Sequence, residues 1–196
     1  MLDDCANVSA GITGGGATVG ASYDFGSGFT AAFGAQTTET SVFTEESGDA
    51  YAFNTAYSAD SYGVSVTYGV VENAALTDEN TFTALNAFYL PEGTGLPSVS
   101  VGYEVGDLAG AASSADETTS FMLGLSWDEV GPGSAGVALG HSSTVENVDE
   151  AYQYEAYYSY PINDGMTVTP LIFTKDNVTS GKDDTTGVMV KTSFSF

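Results

Sequence analysis

Apolar residues alternate with small or polar ones along most of this chain, and that two-residue period constrains the fold more than any other feature. Successive side chains of a strand point to opposite faces, whereas a helix repeats about every 3.6 residues. Ser98-Val99-Ser100-Val101-Gly102-Tyr103-Glu104-Val105 keeps the alternation for a full strand length. So do Tyr62-Gly63-Val64-Ser65-Val66-Thr67-Tyr68-Gly69-Val70 and Ala151-Tyr152-Gln153-Tyr154-Glu155-Ala156-Tyr157-Tyr158-Ser159-Tyr160. Each such segment has one greasy face and one face of Ser, Thr, Gly, Gln, Glu or Lys. Eleven of them follow one another, centred on 18–24, 29–37, 50–59, 62–71, 81–90, 98–105, 118–128, 135–142, 151–160, 166–175 and 186–196. A twelfth is expected near Val8–Thr13.

The connections alternate in length. Phe25-Gly26-Ser27-Gly28, Asp60-Ser61, 91–97, 129–134 and Pro161-Ile162-Asn163-Asp164-Gly165 are short and rich in turn formers. The linkers 38–49, 72–80, 106–117, 143–150 and 176–185 are longer and hold most of the acids, among them Glu39, Glu45, Glu46, Asp49, Glu72, Asp78, Glu79, Asp107, Asp116, Glu117, Glu146, Asp149 and Glu150. Short and long hairpins in alternation put every long loop at one end of the strands. The expected class is all-β, an antiparallel up-and-down series over 1–196 with no domain boundary.

Two architectures use this pattern. A soluble sandwich or barrel turns the greasy face inward. A transmembrane β-barrel turns it to lipid and keeps the polar face around a wet lumen. The polar face here is mostly Ser, Thr, Gly and Ala, without the charged coat of a soluble sheet. Aromatic residues collect near the strand ends: Tyr23, Phe25, Phe29, Tyr62, Phe88, Tyr89, Tyr152, Tyr160, Phe194 and Phe196. Rings at both ends of strands of about ten residues match the girdles of a membrane interface. The reading favoured is the transmembrane barrel. Its alternative is a soluble or surface-displayed acidic β-sandwich for adhesion or carbohydrate binding, and a third reading is an acid-rich shell protein that binds calcium.

Charge narrows the function classes. The net charge is −23, with 26 acidic residues against three lysines, Lys175, Lys182 and Lys191. A chain this acidic offers no track for phosphates, so nucleic acid is excluded as a partner. Aromatics at 12% are too many for a disordered acidic tail. No apolar run approaches the ~18–20 residues of a spanning helix, and Met1-Leu2-Asp3-Asp4-Cys5 lacks the basic and apolar regions of a signal peptide. One cysteine, Cys5, makes no internal disulfide.

The last two hairpins carry a resemblance. Trp127-Asp128-Glu129-Val130-Gly131-Pro132-Gly133, the run from Tyr157 to Phe173, and Thr186-Gly187-Val188-Met189-Val190-Lys191-Thr192-Ser193-Phe194-Ser195-Phe196 are similar to the closing strands of cyanobacterial outer-membrane porins. That group is related to the OprB-type carbohydrate-selective porins. Tyr23-Asp24-Phe25-Gly26-Ser27-Gly28-Phe29 and Val99-Ser100-Val101-Gly102-Tyr103-Glu104 fit the same series. The resemblance implies a barrel of about sixteen strands. It also implies a preceding signal peptide and surface-layer-homology domain, so this chain would begin within the barrel. It further implies Phe196 as the C-terminal assembly signal, a bacterial (cyanobacterial) outer-membrane location and, by analogy, a homo-trimer. The activity implied is passive diffusion of ions and small hydrophilic solutes, carbohydrates among them.

No catalytic constellation is present in the sequence. The one histidine, His141, stands at an expected strand end without a nucleophile context. No cofactor is expected, and no acidic loop has the spacing of a calcium site, so divalent cations would bind only diffusely. The functional surface is then the polar strand face. The expected pore-lining residues are Gln36, Asn54, Glu104, Gln153, Glu155, Tyr157, Ser159, Lys191 and Ser193, joined by Met189 and Ser195. Lys175 is expected at the rim. Those expected to face lipid, as an aromatic girdle, are Tyr23, Tyr62, Tyr152, Tyr154, Tyr158, Tyr160 and Phe194.

Overall fold

The computed structural model describes residues 16–38, 48–72, 79–93, 95–109, 115–179 and 181–195. They form β1 (Gly16–Gly26), β2 (Phe29–Thr38), β3 (Asp49–Ser58), β4 (Tyr62–Glu72), β5 (Glu79–Tyr89), β6 (Ser98–Asp107), β7 (Glu117–Val130), β8 (Gly133–Val145), β9 (Tyr152–Asn163), β10 (Met166–Lys175) and β11 (Thr185–Phe194). All eleven lie in one sheet, in sequence order, each antiparallel to the next. The all-β, up-and-down expectation therefore holds at the level of the sheet. The sheet is open: among the described residues β1 pairs only with β2, and β11 only with β10. The twelfth segment at Val8–Thr13, Cys5 and Phe196 lie outside the described residues. No described helix is long and apolar enough to cross a membrane, a finding that says nothing of strands.

Tight turns fix the hairpins. At the β1–β2 turn Ser27 and Gly28 both have positive φ, 55° and 87°, the signature of a turn whose twist matches the flanking strands. Gly28 is required twice over, because a Cβ there would run into the Ser58 carbonyl. Gly131-Pro132 and Asp164-Gly165 join β7 to β8 and β9 to β10 in two residues each. The Asn163 side chain accepts from the Gly165 amide at 2.9 Å and holds the second of these turns.

Most strand ends that face the long linkers extend one to three residues past the sequence expectation, whereas β3, β5 and β11 stop one or two residues short of it and β9 begins one residue late. Asp49, Glu72, Glu79, Asp107 and Glu117, expected in the long linkers, are the terminal residues of strands. Pro161, expected in a turn, belongs to β9. It sits beside the register shift between Met166 and Thr167, where one ladder amide is dispensable. Pro170 leaves the alternation intact. The β9–β10 ladder omits the two pairs around it, yet Val168↔Tyr160 and Leu171↔Tyr157 keep one register on either side. Thr169 donates to Ser159 at 3.1 Å across that gap.

Burial is inverted relative to a soluble sheet. Large apolar side chains are exposed, as at Val66 (42%) and Leu85 (49%), while Ala84 (0%) and several glycines on the opposite face are buried. Ala84, Phe82, Glu104, Ser120 and Thr118 form a deeply buried patch on the polar face, and Thr37, Ala35 and Asp49 form a second one at the long-loop end of the apolar face.

Candidate functional site

The register assembles the polar face row by row. Gln36 pairs with Ala50 on β3, four residues from Asn54, and Asn54 pairs with Thr67. Thr67, Ala84, Glu104 and Ser120 then form one row across β4 to β7. Toward the β11 end of the sheet Gly140, Gln153 and Lys175 form a row on the same face, as do Ala138, Glu155, Phe173 and Gly187. Below them run Gly136, Tyr157, Leu171 and Met189. Ser159, Thr169 and Lys191 lie one row further, and Ser193 pairs with Thr167. All nine residues expected to line a pore thus share one face, with Lys175 on the same face. Ser195 follows β11, its amide bonded to the Gly165 carbonyl at 2.9 Å.

Glycines shape that face. The Phe88 ring lies over Gly63, the Tyr157 ring over Gly136, the Phe82 ring over Gly106 and the Phe173 ring over Gly187. An added Cβ would meet Phe173 Cζ at 2.5 Å and Phe82 Cδ1 at 2.7 Å. Each bulky ring reaches over a neighbouring strand and covers backbone that glycine leaves bare. Phe88 was expected on the greasy face and is not there. It pairs with Gly63 and Ser100, while Tyr89 takes the greasy side, because adjacent residues of a strand point opposite ways. Met122, Leu171, Phe82 and Phe173 are further apolar residues on the polar face that hydropathy alone assigns to the other. The signal that finds them is strand parity counted from a neighbour, combined with a glycine in the facing row.

Hydrogen bonding on the face is local. Asn54 Nδ2 donates to Thr67 Oγ1 at 2.7 Å. Glu104 is 2% exposed, flanked by Ala84 and Ser120, so it belongs to the sheltered part of the face and not to its open part. No three His, Cys, Asp or Glu side chains among the described residues converge as a metal site.

The opposite face is apolar and banded. Tyr23, Tyr62, Tyr152, Tyr154, Tyr158, Tyr160 and Phe194 all belong to it, as their register partners Ala31, Tyr89, His141, Leu139, Ala135, Val168 and Met166 show. One row of rings lies near the short turns: Tyr23 against Phe25 at 4.9 Å, Phe29 against Tyr57 at 4.7 Å, Tyr57 against Tyr62 at 5.9 Å, then Tyr89, Trp127, Tyr158 and Tyr160. A second row lies toward the long loops and includes Phe53, Tyr68, Tyr103, Phe121, Tyr152 and Tyr154. Aliphatic residues such as Val64, Val66, Leu85, Val101, Leu123 and Val137 fill the interval. Six residues separate Tyr62 from Tyr68, about 20 Å of strand.

His141 sits inside β8 instead of at its end. It is buried on the apolar face between Phe121 (6.5 Å) and Tyr152 (5.3 Å), with Nδ1 3.1 Å from the Ser142 carbonyl. The β7–β8 register shifts just beyond it, which lengthens β8 past the expected boundary.

The apolar band ends in carboxylates on the long-loop side. Asp49, Glu72 and Glu79 stand in one row, and Asp107 pairs with Glu117. Glu72, beyond the last outward valine of β4, has its pKa raised, first by burial and then by the Glu79 and Asp49 charges beside it. No protein-family model matches the chain, and no curated protein matches it.

Proposed function

We propose that this sheet is part of the wall of a water-filled outer-membrane pore, through which ions and small hydrophilic solutes diffuse passively. One observation carries the reading: most of the large apolar side chains stand exposed on one face, and the opposite face is mostly small and polar. In water that arrangement is costly at about 25 cal/mol per Å² of exposed apolar surface. In lipid it is the arrangement that stabilises the strand series. Two aromatic rows bounding an aliphatic band, and carboxylates just beyond the band, supply the expected interface markers. The acidic β-sandwich alternative needs two sheets packed over a dry apolar interior. The described strands form a single sheet, which weighs against that reading.

On this proposal Gln36, Asn54, Gln153, Glu155, Tyr157, Ser159, Lys191 and Ser193 line the lumen, and Glu104 lies deeper in the same wall. The pore would be a passive conduit in the outer membrane of a bacterium of cyanobacterial type, without catalysis. β1 and β11 run in the same direction, since eleven strands alternate. An all-antiparallel closure therefore takes an odd number of further strands, which a twelve- or sixteen-stranded barrel would meet. The test is biochemical: extraction into detergent, heat-modifiable gel migration and single-channel conductance in planar bilayers are expected. A chain that stays monomeric at high concentration in plain buffer would sink the proposal.

A further inference from the structure

We propose that the polar face carries a binding site for one uncharged bicyclic aromatic solute, in a hollow spanning β3 to β7 on the short-turn side. The proposal rests on reading that face as a water-filled wall. The hollow measures about 340 Å³, and its walls include Ala56, Ser65, Asn86, Phe88, Ser100 and Met122. An apolar cavity of roughly 150 Å³ holds a benzene molecule, so this one takes a ring system about twice that size.

Its chemistry selects the occupant. The Phe88 ring lies over Gly63, is 38% exposed and offers an aromatic surface for stacking. The Met122 thioether adds a polarizable contact. The walls carry no charged side chain, so an ionic solute finds no partner there. The polar side chains of that face in the lining are the Asn86 amide and the Ser58, Ser65 and Ser100 hydroxyls. Asn54 is tied to Thr67 one row away, whereas none of these four makes a side-chain hydrogen bond to described residues. The hollow therefore presents a few hydrogen-bonding groups, in two neighbouring rows, on an otherwise apolar wall. A planar ring system with a single N–H or O–H satisfies both. A sugar would turn most of its hydroxyls to apolar wall and leave them unsatisfied.

The probe is indole, titrated by calorimetry into the full chain folded in detergent micelles, with empty micelles as the blank. Saturable one-site binding above the blank is expected. Phe88→Ala should weaken it about tenfold by removing the stacking face. Asn86→Leu should weaken it by roughly a factor of three to ten, since one hydrogen bond is lost. Ser65→Leu, which fills the hollow, should abolish it. Heat-modifiable migration identifies which variants are folded. Uptake no greater than the blank, binding unchanged in folded Ser65→Leu, or displacement of indole by glucose at comparable concentration would each overturn the site. Bilayer conductance separates this from the parent reading. Ser65→Leu-sensitive indole binding without conductance keeps the site and removes the pore, and conductance without saturable binding does the reverse.

Discussion

Two glycines of the polar face differ in what a single methyl group would meet. At Gly136 an added Cβ collides with the Tyr157 ring, whereas at Gly34 nothing lies within 4 Å. Gly136→Ala must push that ring off its strand, and overpacking of this kind costs about 1–3 kcal/mol. Gly34→Ala should stay within about 0.5 kcal/mol of the parent, because alanine also restricts the unfolded chain. Urea titration of the protein folded in micelles reads both, and equal effects would remove the stacking account. Glu72 makes a second prediction at this scale. Its folded pKa lies above its unfolded one, so its ionisation disfavours the fold. The contribution to stability is fully present below the ordinary carboxylate value and is lost as pH rises through the raised folded value. Glu72→Gln should stabilise by about 0.2–1 kcal/mol at pH 7, the scale of a cross-strand charge pair. The difference from the parent should vanish toward pH 4, and a gain that persists there would point to a cause other than charge.

At the scale of the strand, neighbouring residues offer the sharpest comparison between a lipid wall and a soluble sheet. Val66 lies mid-strand on the apolar face of β4, and Ser65 beside it lies on the polar face. If the apolar face meets lipid, Val66→Lys should cost about 2–4 kcal/mol, while Ser65→Lys should be nearly neutral. If that face meets water, Val66→Lys should improve solubility and leave stability little changed. Folding yield into vesicles of both variants decides between the two. This scale is also where the sequence was most informative. Alternation from Tyr62 to Val70 and from Tyr152 to Tyr160 matches β4 and β9 and gives the phase of the residues in those runs. Turn chemistry at Ser27-Gly28 and Asp164-Gly165 placed the hairpins. Hydropathy alone does not place Phe88, because adjacent Tyr89 is as apolar and only parity separates their faces. Proline as a turn former does not place Pro161, because a register shift in β9–β10 accommodates its missing amide. Charge as a loop marker does not place the acidic strand ends, because ladder pairing continues through Asp49↔Glu72 and Glu72↔Glu79.

At the scale of the molecule, alternation says how strands pair with neighbours but nothing about whether the first meets the last. Closure depends on strand number and stagger, which no local pattern encodes. β11 consequently presents a ten-residue edge with Val190 66% exposed, the kind of edge that folded proteins cover or pair. The charge of −23 is likewise a whole-molecule property. The central rows of the sheet hold little of it. Asp49, Glu72, Glu79, Asp107 and Glu117 border the apolar band, and Asp116, Glu146, Asp149 and Glu150 lie beyond it on the same side. On the proposed pore such a fringe would concentrate cations at one mouth and repel anions. Its reach is about 10 Å at 0.1 M salt and about 3 Å at 1 M. The proposed pore should therefore be cation-selective in a dilute potassium chloride gradient and lose most of that preference at 1 M. Glu155→Lys places a positive charge on the polar face, where screening by bulk salt is weaker than at an open mouth. It should shift the reversal potential toward anions at both salt concentrations. A preference that ignores ionic strength would remove the fringe from the selectivity argument, and an unchanged reversal potential in Glu155→Lys would take Glu155 out of the lumen.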